Sequence, residues 1–215
     1  MRALHSGGGG AGAPVWLPRG PSLYVDRSMN DRPVPLSDLP EHVADVLQRR
    51  GAAQINLYQA LANSPAMVDT WLHFLWGLRD GCESPRALRE LVILQTAVRA
   101  RSDYEWAHHV RMARSTGVSE EQIAAIAGSQ RASDALGAEE RLALRLADAV
   151  IDCSVPDALV DEAVRTWGAE RYVELVLTIS AYVMVPRVLD ALRVPLEDAV
   201  AGTRLGYWGA GQASS

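Results

Sequence analysis

The stretch LRELVILQTAVRARSDYEWAHHVRMARSTGVSEEQI, residues 88–123, decides how this chain is read. Its first part, LVILQTAV (91–98), is apolar nearly all round, the mark of a helix packed on every side. After it, Ser102 or Asp103 can cap a second helix, with Glu105 in the first turn and Gly117 as a stop. Ser119 caps a third. On the middle helix, positions four apart share a face, so Glu105 sits below His109 and close to His108. Either this is a solvated Glu–His pair, or it is acid–base machinery held against a core.

Working outward, helical signals recur. Upstream, Ser84 reads as a cap with Pro85 at the first helical position. SPAMVDTWLHFLWGLRDG (64–81) places Met67, Trp71, Phe74 and Leu75 at helical spacing. AAQINLYQALANSP (52–65) is a short helix, and PLSDLPEHVADVLQRRG (35–51) another, capped by Ser37 or Asp38 and stopped at Gly51. Downstream, 137–154, 156–168 and 169–194 each carry apolar residues three and four apart, with Pro186 expected to kink or end the last. No segment alternates with period two. The expectation is an all-α helical bundle over 37–200, with a Gly/Pro-rich arm at 1–36 and a tail at 201–215.

Composition narrows the function. A net charge of −5 without any basic block leaves no footprint for nucleic acid. The chain contains no lysine, which excludes a Schiff-base lysine and the usual P-loop. Its two cysteines, Cys82 and Cys153, form neither a CxxC motif nor a zinc spacing. No start resembling a secretion signal and no uninterrupted membrane-length apolar run is read, since Glu174, Pro186, Arg187 and Asp190 break the longest candidate. A cytoplasmic protein without membrane partners is expected.

Glu90 is a charge inside an apolar helix, and a buried carboxylate needs a partner or a shifted pKa. It is either ion-paired, with Arg111 or Arg187 as candidates, or part of a site with Glu105 and His109. Adjacent histidines diverge by about 100° on a helix, and no HExxH is present, so no metal is assigned. Tyr104, Trp106, Trp71, Trp76 and Tyr182 are either pocket lining or plain core.

The "RE" ahead of the apolar helix, the "YEW…H", the "A…TGVSEEQI" and the closing YVELVLTISAYVMVPRVLDALRVPLED resemble the carboxymuconolactone decarboxylase family, within the alkylhydroperoxidase D-like superfamily. The resemblance spans about residues 38–198 and implies that fold. In the peroxidase branch a glutamate, a CxxC pair and a histidine form the motif. These positions fall here at Glu90, at Ser102 and Glu105, and at His109, so both thiols are missing and thiol–disulfide chemistry is not expected. The decarboxylase branch implies Glu/His acid–base catalysis on an acidic lactone without an organic cofactor. His109 is then the general base or acid. Glu105 orients it or moves a second proton, and Glu90 tunes the pair through a water or hydrogen bond. Tyr104, Trp106 and His108 are the expected substrate contacts, with Arg99 and Arg111 as candidates to hold a substrate carboxylate. Homotrimers, or hexamers built from them, are the implied assembly.

Overall fold

The computed structural model describes residues 34–52, 55–130, 132–203 and 205. The expected arm at 1–36 and tail at 201–215 therefore lie largely outside the described residues. Among those described, every regular element is helical: α1 (Glu41–Arg49), α2 (Asn56–Leu61), α3 (Pro65–Asp80), α4 (Arg86–Ala100), α5 (Asp103–Ser115), α6 (Glu120–Ala127), α7 (Ala138–Ile151) and α8 (Asp157–Ala191), then a 3-10 helix, Asp198–Thr203.

α4 is the axis. Every side chain from Leu88 to Val98 is buried, and α5, α6, α7 and α8 pack around it. Leu91, Leu94, Leu144, Leu146, Leu175 and Ile179 form the centre of this core. Each such leucine contributes roughly 1.5–3 kcal/mol through burial. A second cluster joins α2, α3, α5 and the second half of α8 through Leu57, Leu75, Tyr104, Ala107, Val185 and Leu189. The site lies on this second cluster.

Local chemistry sets the helix ends. Arg101 takes a left-handed conformation (φ 54°) to close α4, and the Ser102 hydroxyl accepts from the Glu105 amide at 3.2 Å to open α5. Ser119 and Gln122 form a reciprocal capping box on α6. Two expected caps move: Pro40, not Ser37 or Asp38, precedes α1, and Pro85 is the cap of α4 rather than its first residue. The amides of Glu83 and Ser84, just before α4, instead donate to the Glu174 carboxylate, both at 2.8 Å.

On α3 the buried face is Val68, Leu72 and Leu75, while Met67 and Phe74 are exposed. Gly168 (φ 78°) interrupts α8 where the sequence divides two helices. Pro186 does not end it, since the helix runs on to Ala191. The expectation of no membrane-length apolar run needs correction: α8 is long and apolar enough by composition to cross a bilayer. Its Leu175, Ile179, Ala181, Val185 and Leu189 are buried within the protein, while Val173, Leu177 and Met184 are exposed.

Candidate active site

The hairpin of α4 and α5 brings Glu90 and His109 into direct contact. His109 Nδ1 donates to Glu90 Oε2 at 2.8 Å. The same carboxylate receives Arg86, one turn earlier on α4, through both Nε (2.8 Å) and Nη2. Neither Arg111 nor Arg187 is its partner; the i, i+4 neighbour fills that place. Burial pushes the Glu90 carboxyl up, but His109 and Arg86 outweigh it and hold the group below the usual carboxylate range. Glu90 is 0% exposed and ionised, which assigns the Nδ1–H tautomer to His109 and turns Nε2 toward Glu105.

Glu105 Oε2 stands 3.6 Å from His109 Nε2, too far for a direct hydrogen bond. That oxygen is buried and has no hydrogen-bond partner within the protein. Burial raises the Glu105 pKa; the two histidines oppose this and the Glu90 charge adds to it. The two carboxyls flanking one imidazole are thus shifted in opposite directions: the Glu90 pKa lies below the usual carboxylate value and the Glu105 pKa above it. The orienting contact expected of Glu105 is made by Glu90.

His108 faces a second carboxylate. Its Nε2 donates to Glu197 Oε2 at 2.6 Å. Glu197 Oε1 accepts from the Tyr104 hydroxyl at 2.8 Å and the Asn56 amide at 2.6 Å. Burial raises Glu197, and these donors outweigh it and hold it low. The Tyr104 ring lies 4.7 Å from that of His108. Glu197 carries no local sequence signal, being 89 positions from its histidine. Arg86 was legible by the four-residue rule applied to Glu90.

Both histidines open into one cavity of about 80 Å³, walled by Trp71, Trp76, Tyr104, Tyr182 and Met112. The Tyr182 ring meets His109 edge-on, with centroids 4.8 Å apart. Burial, and then the charges of Glu105 and Glu90, hold the Tyr182 phenol well above its ordinary pKa, so it stays neutral.

The expected residues thus divide. Glu90, Glu105, His108, His109 and Tyr104 converge. Trp106 does not: it is buried in the core around α4. Arg99 does not, because it pairs with Asp148 (2.8 Å) and Asp152 (2.6 Å) and so ties α4 to the end of α7. Arg111 is exposed and lies outside the cavity lining. Of the aromatic residues, Trp71, Trp76, Tyr104 and Tyr182 do line it. Among the described residues, no three His, Cys, Asp or Glu side chains are grouped to hold a metal ion.

Known proteins bear on this geometry. Residues 65–149 match the model of the carboxymuconolactone decarboxylase family. Among curated proteins, none matches the sequence. The fold resembles a peroxidase-related protein from Silicibacter sp. TM1040 (TM-score 0.69, 16% identity, 80% of this chain and 93% of that one). It also resembles the alkylhydroperoxidase AhpD core of a peroxidase-related protein from Ralstonia eutropha JMP134 (TM-score 0.68, 18% identity, 81% and 95%). A third neighbour is the debrominase Bmp8 in complex with 2,3,4-tribromopyrrole (TM-score 0.65, 20% identity, 78% and 94%). At these identities the likeness establishes an AhpD-like all-α fold.

Proposed function

We propose, on the premise that residues 65–149 belong to the carboxymuconolactone decarboxylase family and that the fold is AhpD-like, that this chain is a cofactor-independent lyase or related proton-transfer enzyme. Its substrate is a small organic acid, lactone or polyketide-like molecule. The observation that carries this reading is the line Glu90–His109–Glu105: an imidazole pinned at Nδ1 by a carboxylate buried behind the cavity and facing at Nε2 the carboxyl of Glu105, which lines the cavity with it.

In such a reaction His109 Nε2 takes a proton from the substrate. The Glu90 carboxylate stabilises the imidazolium that forms, without taking the proton itself. Glu105, whose pKa burial raises, donates in its protonated form to the oxygen or carbon on which negative charge develops. In a decarboxylation, the electron pair left as CO2 departs is protonated by Glu105 or by the imidazolium. Positioned acid–base groups of this type supply about 10² to 10⁴ in rate.

Thiol peroxidase chemistry is disfavoured. Burial raises the Cys82 thiol, the opposite of an activated thiolate. Cys153 is exposed beyond α7, and neither cysteine lines the cavity. Assembly into a homotrimer or hexamer belongs to the same proposal, supported by the exposed apolar row Val173, Leu177 and Met184 on one face of α8.

The test is a panel of carboxylated lactones and 3-oxo acids, followed by CO2 release and absorbance. Turnover by the parent that His109→Ala and Glu105→Gln both lose supports the reading. Full turnover by both folded variants removes this site from the reaction. Binding of panel members in the cavity with no turnover favours a ligand-binding protein of the same fold.

A further inference from the structure

The charged groups around the cavity differ in how closely each is met by a partner. Arg86 is matched by Glu90. Glu197 accepts hydrogen bonds from His108, Tyr104 and Asn56. Arg50 is ion-paired with Asp80 and lies 4.0 Å over the Trp76 ring. Arg79 is left over. It lines the cavity, but its nearest carboxylate oxygen, Asp80 Oδ1, is 3.9 Å away and belongs to the Arg50 pair. Its other contact is the Met112 sulfur, 3.9 Å from Nη1, and a thioether is a poor acceptor. Two guanidinium groups, Arg50 and Arg79, therefore share the one carboxylate of Asp80 at this end, and Arg79 has the looser contact.

The position of Arg79 is built rather than incidental. Its main-chain carbonyl accepts from Arg86 Nη1 at 3.2 Å and from the buried Arg89 Nη2 at 2.9 Å, so the end of α3 is held against α4. The same Met112 sulfur also touches Arg86 Nη2 at 3.9 Å. One side chain thus separates the Arg79 guanidinium from the Arg86–Glu90–His109 line. A cation half exposed at the edge of an aromatic-walled cavity binds an anion more strongly than in bulk water, because the walls exclude solvent.

We propose that Arg79 is the anion-holding, specificity-determining residue of this cavity, receiving a carboxylate of the occupant while its apolar body lies against Trp71 and Trp76. The role foreseen for Arg99 or Arg111 passes to Arg79. Guanidinium geometry suits a carboxylate through paired N–H donors, which a lysine does not offer. This inference rests on the cavity being the active site, and its test is one of binding rather than turnover.

Benzoate and pyrrole-2-carboxylate are titrated against the protein, beside benzamide and pyrrole-2-carboxamide, with calorimetry or tryptophan fluorescence as readout. The parent is expected to prefer each acid over its amide by about tenfold, the scale of one charge-assisted contact. Arg79→Gln abolishes the preference while the amides bind as before. Arg79→Lys keeps part of it and guards against a folding artefact, and Arg111→Gln leaves it unchanged. Equal affinity for acid and amide, a preference that survives Arg79→Gln, or no binding of any of the four at millimolar concentration overturns the proposal. His109→Ala separates the two readings. Acid preference retained in that variant, with no turnover of any panel member by the parent, leaves the clamp standing and the lyase fallen. Turnover dependent on His109, with the acid preference insensitive to Arg79, does the reverse.

Discussion

His109 Nδ1 lies 2.8 Å from Glu90 Oε2, a contact between two helices that lie side by side around a turn at Arg101 and Ser102. It sets the direction of the ring and leaves Nε2 for chemistry. Its energetic consequence is steep, because Glu90 is fully buried and removing one member of a buried ion pair strands the others.

Glu90→Gln is therefore expected to destabilise the fold by about 3–5 kcal/mol at neutral pH, read as a lowered urea midpoint with an unchanged slope. The pH dependence has a definite sign. The folded pKa of Glu90 is depressed, so its stabilisation is present above the unfolded value, about 4.3, and is lost as pH falls through the folded value. An acid transition unchanged by Glu90→Gln would contradict this.

Glu105 has the opposite sign. Its folded pKa is raised, so its contribution is complete below the unfolded value and is lost as pH rises through the folded one. Glu105→Gln keeps the shape and cannot ionise. Its melting temperature relative to the parent should climb as pH is raised from about 4 toward 8. A difference that stays flat across this range would show that burial does not raise the Glu105 pKa.

Glu197 ties the segment after α8 to both α2 and α5. Glu197→Ala is expected to cost about 1.5–3 kcal/mol, the worth of hydrogen bonds to a charged group. It should also expose the Asp198–Thr203 turn to limited proteolysis before the rest of the chain. Loss of stability with no change in cleavage there would assign the cost elsewhere.

The two arginines excluded from the cavity make a matched control. Arg99→Ala loses partly exposed ion pairs to Asp148 and Asp152 and should cost about 1 kcal/mol or less, without altering ligand affinity. Arg111→Ala, on an exposed position, should change neither quantity. A ligand-binding defect in either variant, measured against Arg79→Gln, would move the anion site.

The sequence by itself determined what depends on neighbours along the chain. The all-round apolar run Leu91–Val98 marked α4 as central, the Ser102 and Ser119 caps were visible as residue types, and Gly168 divided α8 where a helix of this composition breaks. The Glu105–His109 relation followed from the helical repeat alone, because residues one turn apart share a face whatever the fold. The roll of α5 against α4 was decided only in three dimensions. That roll makes Glu90 the partner of His109 and leaves Glu105 Oε2 without a hydrogen-bond partner. It also sends Trp106 into the core and Arg111 to the surface, and Arg99 is drawn by two acids on the α7 side. Glu197 reaches His108 from 89 residues away, and Arg79 enters from α3. Periodicity tells which residues share a face, but the energy of closing distant segments on one another decides what that face meets.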